Sequence, residues 1–497
     1  MSPRTGAAPI PREPVLVGIA QLAQRDADPA EDIGKEPLEL MIDAVREAAA
    51  DAGAPALATS ADAVRVVRGM WPYEDPGRAV AEALGCPQAE TGMTLWGGDA
   101  VQSVLTASAL EIQNGTREVV ILTGAECGRT QAKARRAGIE LHWRSAPGTP
   151  DRVFGKELKM RTREEAVRGV SQPIQMYPIF ENAIRRARGE TLEAHIGRVS
   201  ELWAGFSRVA AANPHAWIRE AKTAEEIRTP SDFNRPVSFP YPKLMNSNSN
   251  VDQAAALILC STDVAKRLGV PESKWVYPWA ATAAHDTYAV SNRDNLYSSP
   301  AIRIAGGRCL ELAGLEVDDV DHVDLYSCFP SAVQVAAAEL GFGEQRPLTV
   351  TGGLTFGGGP LNNYVMHAIA RTAEILREDA SEVGFVSSNG GFITKHAFGV
   401  YSASPPPQPL CYEAPQERVD AMPTREAVPT FDGPVEIESY TVMYGPDGPV
   451  SGLAACLLDD GRRAWGNTRE PDVLQSMVTE EFCGRPARLR EEGIVEF

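Results

Sequence analysis

The chain repeats one order of helix and strand in its two halves. In the first half, apolar residues at helical spacing over 38–52 precede a strand-like run at 63–67. In the second half, a helical segment over 300–313 precedes the corresponding strand-like run at 322–326. A duplicated alternation of this kind predicts two similar α/β halves, each a mixed sheet covered by helices.

A second helix and strand pair is duplicated in the same way. The helical segment 101–113 is rich in Ala, Ser and Thr and leads into the apolar run 119–124. Its counterpart is a helical segment over 362–377 that leads into 383–388. Small residues along a whole helix are typical of a helix packed on both sides, because neighbouring backbones approach it closely. We therefore expect these two helices to lie inside the fold.

The first repeat is interrupted by 127–245, which contains helical segments at 176–188 and 192–213 and which we expect to form a lobe of its own. From Arg129 to Arg168 it carries eleven Lys or Arg and five Asp or Glu, in a chain whose net charge is −18. This stretch is either a solvated helical face or a docking surface for a polyphosphate, since Arg side chains suit phosphate oxygens.

The C-terminal part changes character after a proline-rich run, 405–409. Residues 435–442 alternate with period two, and 452–458 and 464–467 are further strand-like runs separated by turns. These runs predict a small β-barrel-like domain or a β-sandwich. The predicted boundaries are an N-terminal half at 1–126 and 246–272, an insertion at 127–245, a C-terminal half at 273–404, a proline-rich linker at 405–430 and a β domain at 431–497.

Composition excludes several classes of partner and site. The net charge of −18 disfavours nucleic acid and anionic membranes as partners. No run approaches the roughly 18 apolar residues of a membrane span, so we expect a cytoplasmic protein. The eight cysteines form no CxxC pair and no metal-ligand pattern with His, so no metal site is expected.

Three motifs carry the strongest family signal: DLYSCFPS at 324–331, TVTGGLTFGGGP at 349–360 and NGGFITKHAFGVY at 389–401. With them the chain resembles thiolase-like protein type 1, a bacterial branch of the thiolase superfamily that is related to sterol-carrier-type thiolases and has an added C-terminal β domain. The resemblance covers nearly the full length. It implies a duplicated, five-layer αβαβα thiolase fold with a helical loop-domain insertion. Thiolase-like aldolases work with a small OB-like partner, and the resemblance implies that the β-barrel-like C-terminal domain is its fused, OB-like analogue. It also implies an acetyl-CoA acetyltransferase-like scaffold of lipid metabolism, with a coenzyme A thioester as substrate or ligand and no tightly bound cofactor.

The resemblance also shows which catalytic residues are replaced. Thiolases carry a nucleophilic cysteine at a helix start, a Gly-His-Pro motif whose histidine serves the oxyanion hole, and an acid/base cysteine, which the sterol-carrier type places in a His-Asp-Cys-Phe motif. Here Gly98 stands at the nucleophile's position and Gly359 at that of the oxyanion histidine, while Cys328 is retained and Tyr326 replaces the histidine of the last motif. Glycine cannot form a thioester, so ordinary thiolase activity is not expected.

Three side chains are left as catalytic candidates. Cys328 precedes Pro330, a residue favoured in the first turn of a helix, and a helix N-terminus would lower the pKa of its thiol; the alternative is a buried cysteine without a role. By resemblance to thiolase-like aldolases, Tyr326 would act as a base in a retro-aldol cleavage, although Phe356 stands where those enzymes have a second tyrosine. His396 is the best substitute hydrogen-bond donor. His285 and His367 are read as structural.

Glycine-rich turns and basic residues are the candidates for binding coenzyme A. We expect contacts from Gly358, Gly359, Asn363, Asn389, Gly390, Gly391, Arg135 and Arg136.

Three classes of function stay open at this point. The chain is an acyl-CoA-processing enzyme, either an acyltransferase or a 3-hydroxyacyl-CoA retro-aldol lyase, or a non-catalytic CoA or acyl-CoA binding protein, or a protein that kept the fold only. A homodimer and a monomer are both compatible with the sequence.

Overall fold

A computed structural model describes residues 12–497. The first eleven residues of the predicted N-terminal half lie outside the described residues. The strands, in chain order, are β1 Pro14–Ala23, β2 Ala63–Val66, β3 Glu90–Thr94, β4 Val119–Cys127, β5 Arg152–Phe154, β6 Pro236–Ser238, β7 Tyr241–Pro242, β8 Asp252–Ser261, β9 Tyr277–His285, β10 His322–Asp324, β11 Val383–Gly390, β12 Lys395–Ser402, β13 Cys411–Glu413, β14 Gly433–Gly445, β15 Gly448–Leu457, β16 Arg463–Thr468, β17 Pro486–Leu489 and β18 Val495–Glu496.

The α-helices alternate with these strands. They are α1 Pro37–Asp51, α2 Ala56–Thr59, α3 Pro76–Leu84, α4 Ala100–Gln113, α5 Gly128–Ala137, α6 Arg163–Val167, α7 Pro173–Arg188, α8 Leu192–Ala212, α9 Ala224–Arg228, α10 Thr262–Arg267, α11 Gly307–Ala313, α12 Pro330–Leu340, α13 Gly353–Phe356, α14 Tyr364–Leu376, α15 Gln416–Asp420 and α16 Pro471–Met477. Between residues 12 and 497, no helix is long and apolar enough to cross a membrane.

Two mixed sheets form the body of the protein. Sheet one has the order β1-β8-β4-β2-β3-β5, and sheet two the order β10-β11-β12-β9-β13. Helices α4 and α14 lie between the sheets, because each packs against strands of both. Helices α1 and α3 cover the outer face of sheet one, and α11 covers that of sheet two. The two α/β halves and the two central helices predicted from the repeated pattern are therefore confirmed, and so is the five-layer αβαβα arrangement that the resemblance implies.

The predicted insertion is less separate than the sequence suggests. Strand β5 extends sheet one by pairing in parallel with β3, and β6 pairs with β14 of the C-terminal part. Phe154 of β5 packs beneath the guanidinium of Arg65. The edge of β3 is thus covered from within the chain, which removes an exposed pairing edge.

The segment predicted as a proline-rich linker also joins the body. Within 405–430, β13 pairs in parallel with β9 at the edge of sheet two, and α15 follows it. Proline-rich composition does favour extended backbone. It does not reveal that a free sheet edge lies next to the segment, so part of the predicted linker forms a strand of the body instead.

The C-terminal part forms a third sheet, β16-β15-β14-β17-β18, with β6 and β7 attached through β14. An isolated parallel bridge between Asn467 and Ile494 joins the two ends of this sheet. Its interior is a small hydrophobic core of its own, which includes Ile437, Tyr440 and Phe482. Helix α7 of the insertion packs against β14, so this domain is docked on the rest of the chain.

Candidate functional site

A cavity of about 930 Å³ lies where the two halves and the insertion meet. Gly98, from the turn before α4, lines it together with Tyr326 and Cys328, from the loop between β10 and α12. The segment 389–395, which joins the end of β11 to the start of β12 and is called the β11–β12 loop below, also contributes to the lining. The insertion contributes its irregular segment 156–160 and the start of α7. Most other lining side chains are apolar, among them Leu95, Trp96, Met160, Ile174, Phe329 and Leu361.

Tyr326 fills the space beside Gly98. A β-carbon added to Gly98 would lie 2.5 Å from Tyr326 Oη and 2.4 Å from the carbonyl oxygen of Asn389. Real β-carbons essentially never approach other heavy atoms within 3.0 Å. No side chain can therefore be placed at position 98 unless the tyrosine and the backbone of the β11–β12 loop move.

The hydroxyl of Tyr326 is available to a ligand. Within residues 12–497 it has no hydrogen-bond partner, and the side chain lines the cavity. Burial, followed by the nearby Cys328 and Asp99, raises the pKa of Tyr326 well above its usual value. The phenol is thus protonated at neutral pH and can donate a hydrogen bond. To act as the base that the resemblance to thiolase-like aldolases implies, it would first have to lose this proton.

The pKa of the Cys328 thiol is raised, whereas the sequence predicts that it is lowered. The thiol does lie just before α12, and Asn389 Nδ2 is 4.0 Å from its sulfur. Burial nevertheless raises the pKa of Cys328 to about 12. A helix N-terminus stabilises an anion by about 0.3–1 kcal/mol, which is less than the roughly 1.4 kcal/mol of one pKa unit, so it cannot offset this burial.

Gly359 does not line the cavity. A β-carbon there would lie 2.5 Å from Ser247 Oγ and 3.2 Å from the carbonyl oxygen of Leu354. Ser247 itself does line the cavity. A serine hydroxyl from the segment just after the insertion therefore occupies the space beside this glycine, as the phenol of Tyr326 does beside Gly98.

Two other residues of the same turn hold the halves together. Gly358 has φ +110°, and its β-carbon would lie 2.1 Å from Gln253 Oε1. Asn363 Nδ2 donates to the carbonyl of Gly124 at 2.9 Å. Neither Gly358 nor Asn363 lines the cavity. The glycine is thus explained by close packing within the protein and not, as predicted, by contact with a ligand.

The last predicted loop does reach the cavity. Asn389, Gly390 and Gly391 all line it. Asn389 Nδ2 donates to Tyr177 Oη at 3.0 Å, and its side-chain oxygen is buried without a partner among the described residues. This loop therefore presents both backbone and an unsatisfied amide oxygen beside the cavity.

His396 lies behind the cavity. It is buried, its ring stacks near Phe398, and its Nε2 is 3.7 Å from Asp286 Oδ2. It does not line the main cavity, but it borders a small adjoining void together with Tyr326 and Asn389, and its Nε2 is buried without a hydrogen-bond partner among the described residues. Its role as a substitute donor stays a prediction. His367 is a core residue, as predicted: burial lowers its pKa to about 3.

The basic residues at the cavity differ from those predicted. Arg135 and Arg136 end helix α5, are exposed and do not line the cavity. Lys156 and Lys159, from the same basic stretch, do line it. Lys395 also lines it and pairs with Asp99 at 3.0 Å. The stretch was therefore recognisable from its charge, but the residues that reach the cavity were not.

Sequence reasoning missed Trp96, Ser247 and Tyr177 at this site. Trp96 is half exposed at the cavity and lies beside the guanidinium of Arg68. Only the position of Trp96 next to the first glycine turn could have signalled a role. Within 12–497, no cluster of three or more His, Cys, Asp or Glu side chains could hold a metal ion.

Comparison with known proteins agrees with this fold. Residues 415–494 match the family model of the thiolase-like protein type 1 additional C-terminal domain, and residues 282–362 match the model of the thiolase C-terminal domain-like family. An acetyl-CoA acetyltransferase of Methanocaldococcus jannaschii is 31% identical over 133 residues. That match spans 27% of this chain and only 32% of the relative's length.

Solved structures extend the match to the whole chain. An acetyl-CoA acetyltransferase from Syntrophomonas wolfei (16% identity, TM-score 0.56, 79% of this chain and 100% of that one) and an Ltp2–ChsH2(DUF35) aldolase (19%, 0.58, 79% and 98%) share the fold. A monomeric SCP2-thiolase-like protein type 1 from Mycobacterium smegmatis is 30% identical, with a TM-score of 0.84, and the match covers 98% of this chain and 99% of that one. The chain therefore belongs to the family of SCP2-thiolase-like proteins type 1.

Proposed function

We propose that the chain binds an acyl thioester of coenzyme A in this cavity without forming an acyl-enzyme. The observation that carries the proposal is the occupation of the space beside Gly98 by Tyr326 Oη. The resemblance assigns this position to the nucleophile of thiolases. A protonated phenol at this place can donate a hydrogen bond to a thioester carbonyl, but it cannot replace a thiolate nucleophile.

The charges around the cavity support a phosphate-bearing ligand. Lys156, Lys159 and Lys395 line a largely apolar cavity in a protein of net charge −18. The carboxylate of Glu157 also lines it and Lys395 pairs with Asp99, so Lys156 and Lys159 are the cations that would hold phosphate. Lysine is a point charge that pairs readily with phosphate. An acyl group would lie among the apolar side chains, and the phosphates would be held by the lysines of the 156–160 segment.

Calorimetry with matched charge reversals tests this assignment. We expect acyl-CoA to bind and Lys156→Glu/Lys159→Glu to weaken its binding by about tenfold or more, since each lost charged contact is worth about 1.5–3 kcal/mol. Arg135→Glu/Arg136→Glu introduces the same charge change outside the cavity and should leave the affinity within about twofold. Equal weakening by both pairs would show a diffuse field effect and contradict a site in the cavity.

Mass spectrometry on the same samples separates binding from turnover. Wild type and Cys328→Ala are incubated with a pooled set of 3-ketoacyl- and 3-hydroxyacyl-CoAs, with and without free coenzyme A. Neither should gain a covalent acyl group, and neither should produce the shortened acyl-CoA of thiolysis. An acyl adduct on wild type, or a thiolysis product that Cys328→Ala fails to form, would contradict the proposal.

Retro-aldol cleavage is a second candidate, favoured by the partner-free hydroxyl of Tyr326. In this reaction a base removes the 3-hydroxyl proton, the C2–C3 bond breaks, C3 becomes a carbonyl and the resulting enolate takes a proton at C2. Tyr326 would donate to the enolate oxygen, a role that suits its raised pKa. The test is formation of an aldehyde or ketone and a shortened acyl-CoA from 3-hydroxyacyl-CoAs, and its loss in Tyr326→Phe. If Tyr326→Phe retains full activity, this role is wrong.

A further inference from the structure

Residues 290–294 belong to the body of the protein and form hydrogen bonds with the C-terminal domain. The guanidinium of Arg463, on β16, is fully buried and donates to the carbonyl oxygens of Ser291 at 2.8 Å and Arg293 at 2.6 Å. Its Nε and Nη2 donate to the two carboxylate oxygens of Glu438, each at 2.6 Å. The geometry is that of a fixed fork, which a lysine cannot reproduce.

Two more side chains hold the same segment. Trp465 Nε1, also on β16, donates to Ser291 Oγ at 2.8 Å. Glu165 of α6, fully buried, accepts a hydrogen bond from the backbone N–H of Ser291 at 2.8 Å. The segment 290–294 is thus held jointly by the C-terminal domain and the insertion.

From this segment Arg293 reaches the loop between β11 and β12. Its guanidinium donates to the carbonyls of Phe392, at 3.1 Å, and Ile393. Ile393 has φ +52°, a left-handed conformation that is rare for a β-branched residue and persists only where its surroundings enforce it. The backbone N–H of Ile393 in turn donates to Tyr177 Oη at 3.3 Å.

The same loop lines the cavity. Asn389, Gly390 and Gly391 precede the strained residue, and the carbonyl of Asn389 lies against Gly98. If Ile393 relaxed to an ordinary conformation, the backbone that borders the cavity would shift with it. The contacts therefore form a continuous path from the C-terminal domain to the cavity.

We propose that the C-terminal domain positions the β11–β12 loop of the cavity, with Arg463 and Arg293 as the positioning residues. Arg463 fixes segment 290–294, and Arg293 carries that constraint to Ile393. This assigns to the added domain a role that is independent of which ligand the cavity takes.

Hydrogen exchange measured by mass spectrometry on the full-length chain tests the proposal. In Arg463→Lys and in Arg293→Lys, peptides that cover 389–395 should exchange faster by about tenfold, the factor that corresponds to one lost hydrogen bond. Arg488→Lys is the matched control, because Arg488 lies in the same domain in an exposed pair with Asp432. It should leave the loop unchanged.

Global stability is monitored in parallel, through the melting temperature and exchange of the central strand β4, which should match wild type. If Arg463→Lys fails to fold, Trp465→Phe is used instead. It removes a single hydrogen bond to the same segment and should accelerate hydrogen exchange in the loop more weakly. Faster exchange of the loop in Arg293→Lys alone, with none in Arg463→Lys or Trp465→Phe, would overturn the role of the domain. Unchanged exchange in all the variants would overturn the whole path.

Discussion

A cysteine placed at position 98 should destabilise the protein and should not become acylated. Its β-carbon would lie 2.4 Å from the carbonyl oxygen of Asn389 and 2.5 Å from Tyr326 Oη. The first of these atoms is backbone, so it cannot simply rotate away. Overpacking of a filled region costs about 1–3 kcal/mol, and we expect Gly98→Cys to lower the free energy of unfolding by this amount.

A double-mutant cycle isolates the contact with the phenol. Tyr326→Ala removes one of the two close contacts and leaves the one with Asn389. Gly98→Cys should therefore cost less in the Tyr326→Ala background than in wild type, with a coupling of about 0.5–3 kcal/mol. Gly197→Cys on α8 is the control, since a β-carbon there meets no atom within 4 Å. Its effect should stay within about 0.5 kcal/mol.

The assay combines urea unfolding, followed by circular dichroism, with intact-mass measurement after incubation with acetyl-CoA. Gly98→Cys should show a lower unfolding midpoint than Gly197→Cys and no added acetyl group. If Gly98→Cys were as stable as wild type and accumulated a thioester, Tyr326 would not be what excludes the nucleophile, and the site would need only that one cysteine to regain acyl transfer.

Two further outcomes follow from ionisable groups. Because burial raises the pKa of Cys328 to about 12, iodoacetamide at pH 8 should modify the partly exposed Cys411 and leave Cys328 intact in peptide mass spectra; similar rates at both would contradict the burial. Burial opposes ionisation of Glu190, but hydrogen bonds, the first from Arg198, lower its pKa to about 2. Its ionised form thus contributes stability that is complete above the unfolded-state pKa of about 4.3 and is lost as the pH falls toward 2. Over that range the urea midpoint should fall more in wild type than in Glu190→Gln, and parallel curves would refute the assignment.

Periodicity was sufficient to predict two α/β halves with buried central helices, because long helices and strands carry their burial pattern in the local sequence. The small residues of α4 were informative for the same reason, since both of its faces are packed. The five-layer arrangement came from the family resemblance. Strands β5 and β13 were missed. Each is three residues long, too short to show a period, and each forms because a sheet edge from a distant part of the chain is available.

The site was predictable in its position but not in its chemistry. Gly98, Tyr326, Cys328 and Asn389, which the family resemblance and the glycine-rich turns singled out, all line one cavity. The direction of the Cys328 pKa shift was wrong because the sequence shows the adjacent helix start but not the distant segments that bury the thiol. A charge count likewise locates a basic stretch without showing which of its side chains turn toward the cavity.

Gly98 and Gly359, at the positions that the resemblance assigns to catalytic residues, do not leave empty space beside them. Truncating a side chain in a packed region ordinarily leaves a cavity, at a cost of about 24 cal/mol per Å³ of residual volume. Here each vacated space is filled: Tyr326 Oη beside Gly98 and Ser247 Oγ beside Gly359 each lie 2.5 Å from the position of the missing β-carbon. Both fillers are hydroxyls of residues that line the cavity, and a hydroxyl can donate and accept hydrogen bonds but is a poor nucleophile without an adjacent base. Beside Gly98, where the resemblance places the nucleophile, and beside Gly359, where it places the oxyanion histidine, the structure thus offers hydroxyl groups, which are the groups that the proposed non-covalent binding of a thioester carbonyl would use.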